Sequence, residues 1–128
     1  MSMSKPFDPQ LLARLATVKV VQIETRAGPR RPVHRTKIWV VVDGRDVYVR
    51  SYLGEKGRWY REIRAYPEGA LWLGPERIPV RAVHVRSARA MARATAGYRK
   101  KYGDSPPAKA MVRKEILGTT LRLEARSL

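Results

Sequence analysis

Lys37-Ile-Trp-Val-Val-Val-Asp-Gly-Arg-Asp-Val-Tyr-Val-Arg-Ser51 is the stretch on which the fold turns. From Lys37 to Val42 the run is almost continuously apolar, as in a strand buried on both faces, and Asp46 to Ser51 is rich in β-branched and aromatic residues. Asp43-Gly44 between two such runs predicts a hairpin, because glycine takes positive φ without steric cost. Strands joined this closely run antiparallel, which sets the chain in the mainly β class.

Working towards the N-terminus, Arg26-Ala-Gly-Pro-Arg-Arg-Pro32 breaks regular structure, since Gly28 supplies turn geometry and two prolines remove ladder donors. Before it, Val18 to Thr25 alternates, with Val21 and Ile23 on one face and Val20 and Gln22 on the other, and reads as a strand. Asp8 and Pro9 mark the start of a short helix over 9–16, with Phe7 placed to pack on Leu12.

Towards the C-terminus, Trp59, Ile63 and Tyr66 lie three or four apart until Pro67, which predicts a short helix from Gly57. Ala70 to Leu73 and Ile78 to Val85 form a second hairpin about Gly74-Pro75. Ser87 caps a longer helix whose stripe is Met91, Thr95, Tyr98 and Tyr102, and Gly103 ends it. Ser105-Pro106 restarts a short helix through Val112, and Thr119 to Arg126 alternates as a closing strand. The reading is one domain over 1–128: a helical segment at 1–17, a barrel core at 18–86, helices at 87–117 and a closing strand at 118–128. About six antiparallel strands make a small β-barrel with flanking helices.

With 128 residues, 44% of them hydrophobic, the chain has material for a core and is no disordered basic tail. No apolar run approaches the ~20 residues of a membrane helix, and the N-terminus lacks a signal-peptide hydrophobic stretch, so a cytoplasmic protein without membrane association is expected. Cysteine is absent, which removes thiolate nucleophiles and thiolate metal sites, and two histidines, His34 and His84, do not make a metal site. Lys and Arg number 27 against 11 Asp and Glu, a net charge of +16, so the partner is an anion.

Arg26, Arg30, Arg31, Arg35 and Lys37 form a cluster that no acid interrupts, and a second acid-free cluster runs from Arg86 to Lys101. The first suits phosphate recognition, combining guanidinium forks with the backbone N–H groups of a glycine loop; the plain alternative is a solvated loop. Arg58 opens the central helix, where the dipole and the first amides favour an anion. Trp59, Tyr60 and Tyr66 offer stacking surface, although aromatics at helical spacing usually belong to a core, as Trp39 and Trp72 are expected to do. His84 shares the inward face of its strand with Ile78 and Val80 and reads as a hydrogen-bonded core residue. No nucleophile triad, carboxylate pair or phosphate-loop motif assembles, so any chemistry has to come from a cofactor, and catalytic residues stay unassigned.

The stretch from Glu24 to Gly44, followed by Gly57-Arg-Trp-Tyr-Arg-Glu-Ile-Arg-Ala-Tyr-Pro67, resembles the split-barrel flavin-binding superfamily. Within it the chain is most similar to an uncharacterised bacterial domain-of-unknown-function family, near the deazaflavin-dependent nitroreductases and, further off, pyridoxamine 5′-phosphate oxidase. The resemblance covers about residues 20–86. It implies a split β-barrel that binds flavin mononucleotide (FMN) or a deazaflavin between the subunits of a homodimer. It further implies that Arg35, Thr36, Lys37, Ser51 and Arg58 meet the cofactor phosphate, with Trp59 beside them. The chain departs from the pattern where Pro29 follows Gly28 in place of Ser-Gly, and where Glu62 and Tyr66 replace two asparagines.

Three functions follow as expectations. The first is an oxidoreductase that uses a flavin or deazaflavin to transfer hydride to an organic acceptor. The second is a basic barrel that binds nucleic acid through its phosphate backbone. The third is a degenerate barrel, without cofactor, acting in protein interaction.

Overall fold

The computed structural model describes residues 7–126; the first six residues of the expected N-terminal segment and the last two of the closing segment lie outside it. The elements are α1 (Pro9–Thr17), β1 (Val21–Thr25), β2 (His34–Ile38), β3 (Val41–Asp43), β4 (Asp46–Val49), α2 (Arg58–Ala65), β5 (Glu68–Leu73), β6 (Glu76–His84), α3 (Ala88–Tyr102), α4 (Pro106–Ala110) and β7 (Leu121–Ala125), with 3₁₀ turns at Gly54–Lys56 and Lys114–Thr119. The seven strands form one sheet in the order β2-β1-β5-β6-β7-β4-β3, and all neighbours pair antiparallel. The sheet curls into a half-barrel flanked by the helices, as the alternation of the sequence predicts.

The expected hairpins form at Gly44 and Gly74, which hold φ of +62° and +58°. The single strand expected over Lys37–Val42 does not. It breaks at Trp39-Val40 into β2 and β3, which lie at opposite edges of the sheet. Side chains of α3 supply the hydrogen bonds that the ladder gives up there. Val40 N–H donates to Tyr102 Oη at 3.2 Å, and Lys101 Nζ donates to the Val40 carbonyl at 2.6 Å and the Leu15 carbonyl at 2.8 Å. Trp39 stacks flat on Tyr102, ring centroids 3.9 Å apart.

Curling creates two packed layers. Inside lie Val21, Ile23, Val47, Val49, Leu71, Val80, Leu121 and Leu123, closed at the ends by Leu12 and Leu15 of α1 and Trp59, Tyr60 and Ile63 of α2. Outside, α3 and α4 cover the β3–β4 end through Val41, Tyr48, Ala94, Tyr98, Met111 and Ile116. The caps read from the sequence are present: Asp8 accepts from Gln10 N–H at 2.7 Å, and Ser87 Oγ accepts from Ala90 N–H. His84 Nε2 lies 2.7 Å from the Gly118 carbonyl, so the expected hydrogen bond is present, but the residue is half-buried at the end of β6 and not in the core. Among the described residues no helix is long and apolar enough to cross a membrane.

Candidate functional site: a cationic cleft

At the end of β2 the sheet opens into a cleft of about 600 Å³. Its walls are Thr36 to Trp39 from β2 and the break after it, Arg50 to Leu53 after β4, Gly57 to Trp59 at the start of α2, and Pro107 and Met111 around α4. Lys37, Arg50 and Arg58 are cations, and none of the residues lining the cleft is a carboxylate. Trp39, Tyr52 and Trp59 add aromatic surface. The arrangement suits an anion attached to a flat apolar group.

Of the residues named from the sequence, Thr36, Lys37, Ser51, Arg58 and Trp59 line this cleft together. Arg35 does not. Its side chain is turned onto β1 and β5 instead, where its guanidinium sits 3.9 Å from the Trp72 ring centroid and Nε donates to Gln22 Oε1 at 2.8 Å. The Arg26–Arg31 loop also stays clear of the cleft lining. Trp39 and Trp72, expected in the core, are only half-buried: one walls the cleft, and the other lies under Arg35 with its indole N–H donating to Glu24 Oε1 at 2.9 Å. A tryptophan carries enough ring to cover two environments, which is why burial preference misplaces it.

Ser51 is buried and already engaged. Its hydroxyl donates to the Gly54 carbonyl at 2.7 Å, and its N–H donates to Thr119 Oγ1 at 3.0 Å. It can therefore accept from a ligand but not donate to one, and its main work is to fold the loop that presents Gly57 and Arg58. Gly57 is required at that place, since a Cβ there would stand 2.5 Å from Ser51 Oγ. It also leaves α2 without a side-chain cap, so the positive end of the dipole stays uncapped beside the cleft that Gly57, Arg58 and Trp59 line.

Arg50 is the residue that the sequence reading passed over. It is 1% exposed, with no carboxylate among its hydrogen-bond partners. Nε donates to Thr120 Oγ1 at 2.8 Å, Nη1 to the Met111 carbonyl at 3.0 Å, and Nη2 to Thr95 Oγ1 at 2.8 Å and the Met91 carbonyl at 3.2 Å. Five guanidinium N–H groups against these acceptors leave one Nη1 hydrogen unmatched among the described residues. Burial pulls the Arg50 pKa below its ordinary value, and the neighbouring Tyr98 phenol is pushed up by its own burial. A buried cation is ordinarily paired, so an anion in the cleft would complete its surroundings. The signal in the sequence is an arginine closing the apolar run Val47-Tyr-Val49, which strand alternation places with Tyr48 beneath α3.

On the far side of α2, Glu62 accepts from Thr25 Oγ1 at 2.8 Å and lies 2.9 Å from His34 Nδ1. Tyr66 lies under Arg26, 5.3 Å from the guanidinium carbon. The two positions that depart from the asparagines of the resemblance therefore clip α2 to the β1–β2 hairpin. Among the described residues no three His, Asp or Glu side chains gather where they could hold a metal ion.

The fold is shared with solved structures of low sequence identity. HutZ, the heme storage protein of Vibrio cholerae, superposes with a TM-score of 0.68 at 12% identity, over 96% of this chain and 92% of that one. A Listeria innocua protein assigned as a pyridoxamine 5′-phosphate oxidase gives 0.57 at 16% identity, over 91% and 90%. The F420-H2 dependent reductase FDR-A gives 0.61 at 12% identity, over 82% and 92%. No protein of curated function matches the chain. The match to a family model spans residues 11–123, so the chain belongs to DUF2255, a family of uncharacterised proteins conserved in bacteria, built on the split β-barrel.

Proposed function

We propose that the cleft binds a phosphorylated flavin-type cofactor, FMN or a deazaflavin, and that the protein uses it to transfer hydride to an organic acceptor. The observation that carries this reading is the cleft lining: Lys37, Arg50 and Arg58 without a carboxylate, set among Trp39, Tyr52 and Trp59. A cofactor of this type supplies the hydride chemistry, and the chain supplies binding, orientation and exclusion of water. Arg58 and the uncapped start of α2 would take the phosphate, Lys37 would add charge at the rim, and Thr36 has a hydroxyl for a hydrogen bond. Trp59 and Trp39 would bracket the ring system. Of side chains that can ligate an iron the lining has the Met111 thioether and the Tyr52 phenol but no imidazole or thiolate, so hemin is the competing ligand to test. Tyr52 and Leu53, 52% and 67% exposed at the mouth, are suited to cover by a second copy, and a homodimer is part of the proposal.

Titration of the purified protein with FMN, a deazaflavin and hemin, followed by fluorescence quenching at two salt concentrations, tests the reading. Saturable binding of a flavin that survives the higher salt is expected. Arg58→Ala should weaken it by about 1.5–3 kcal/mol, the range for a hydrogen bond to a charged group, whereas Arg35→Ala should leave it unchanged. Tight binding of hemin alone, or equal losses in both variants, would overturn the assignment.

A further inference from the structure

A second cationic region extends beyond the cleft, over the exposed face of α2 and the loop that joins β1 to β2. Arg61 and Arg64 are exposed and follow Arg58 of the cleft wall at every third residue, so the attachment points step about 4.5 Å along the helix. The loop springs from beside the middle of this helix, because Thr25 before it and His34 after it both bond Glu62. Its shape is set from within. Arg26 donates to the Pro29 carbonyl at 3.0 Å and lies over Tyr66 at the end of α2, and Arg31 N–H donates to the Gly28 carbonyl at 3.1 Å. Arg30 and Arg31 are left exposed at the rim of an open hollow of about 550 Å³.

None of these exposed arginines takes part in the six ion pairs among the described residues. The neighbouring carboxylates are engaged or set aside: Glu62 is turned inward on His34 and Thr25, Glu24 pairs with Arg77 at 2.7 Å, and Glu55 stands in the 3₁₀ turn before α2. Several guanidiniums held together by a folded loop and a helix repel one another, and only a partner or solvent relieves that. Solvent would suffice if the loop were free to spread its charges, but its internal hydrogen bonds keep them together.

We infer that this surface binds the phosphodiester backbone of a nucleic acid, without reading its sequence. The charges are spread along a helix and a loop rather than converging on one point, which fits a row of phosphates better than a single small anion. Guanidinium forks match phosphate oxygens, and the net charge of +16 draws a polyanion in from a distance. A lipid surface fits less well. Docking there calls for a broad apolar face beside the charges, and Val33 is the one large exposed apolar residue of the loop among the described residues.

Fluorescence anisotropy of a labelled single-stranded RNA of about 20 nucleotides, and of the duplex of the same sequence, measures the interaction across a salt titration of the full chain. The affinity should fall linearly with salt on logarithmic axes. The triple variant Arg30→Ala, Arg31→Ala, Arg61→Ala should weaken binding on the order of tenfold or more near 0.1 M salt and flatten the slope by about 2–3, the loss of three phosphate contacts. Arg30→Glu alone, at an exposed loop position, should act in the same direction and stands in should the triple variant lose its fold. Arg86→Ala, Arg89→Ala, Lys100→Ala removes as much charge from the other basic cluster and should have a much smaller effect. Equal losses in the two triple variants would mean diffuse attraction and overturn the site. So would the absence of binding to either nucleic acid at low salt, or binding only to anionic lipid vesicles. None of the three removed arginines lines the cleft, so flavin titration of the same variant separates a failure here from a failure of the cofactor reading.

Discussion

Inside the curled sheet the packed side chains are apolar or aromatic save Thr25 beside α2, whereas the layer beneath α3 encloses a guanidinium, a phenol and threonine hydroxyls. The inner layer asks only for shape and hydrophobicity, and the outer layer asks for particular donors to meet particular acceptors. Arg50 joins β4, α3, the end of α4 and the start of β7 through four neutral oxygens. The lesson is one of position: the layer that tolerates a buried charge is also the one that borders the cleft. Stability comes chiefly from the inner layer, and the outer layer holds Arg50 and Met111 in place where they line the cleft with Ser51.

Leu71→Ala, at a position with no exposure in the centre of the inner layer, should cost the most, about 2–5 kcal/mol by chemical denaturation. A much smaller loss would mean that the inner layer is loosely packed. Arg50→Met keeps the bulk and removes the donors, leaving buried acceptors unmatched, and should cost about 2–3 kcal/mol in the same measurement. It should also reduce flavin affinity in the titration above. A variant as stable as the parent would show that the outer layer behaves like the inner one and end the contrast.

A smaller effect attaches to Lys101, whose pKa is lowered by burial to about 8. The folded state releases this proton before the unfolded chain does, so the Lys101 contribution to stability should rise with pH from about 8 towards the ordinary lysine value. Comparing the parent with Lys101→Met across that range isolates it, and a slope of opposite sign would contradict the assignment. Smallest of all is Tyr98→Phe. The Tyr98 hydroxyl is buried and has no hydrogen-bond partner among the described residues, so its removal should leave stability unchanged or raise it by up to about 1 kcal/mol. A clear loss would reveal a partner for that hydroxyl and add a bond to the polar layer.

Much of this architecture is legible in the residues themselves. Alternation in β1 and β6, the glycine turns at Gly44 and Gly74 and the caps Asp8 and Ser87 are local rules, and local rules hold here. What escapes is whatever depends on curvature. Lys37–Val42 has the composition of one strand, and it breaks because Tyr102 and Lys101, far along the chain, satisfy the backbone of Val40. The same limit applies at the cleft. Arg58 and Trp59 are placed by the start of α2, which the sequence marks, but Arg35 is drawn away from Thr36 and Lys37 by Trp72 and Gln22, partners that only the order of the sheet brings beside it. Arg50 is harder still, since nothing local announces that a helix will cover it.

The break at Trp39-Val40 has one more consequence. Because β2 and β3 follow each other in the chain yet lie at opposite margins of the sheet, both unpaired margins start from the same dipeptide. An open margin is a template on which a strand of another molecule can add. Here β3 is three residues long, and β2 carries Arg35 and Lys37, whose charges repel a second copy of themselves. Short length at one margin and charge at the other therefore disfavour edge-to-edge aggregation.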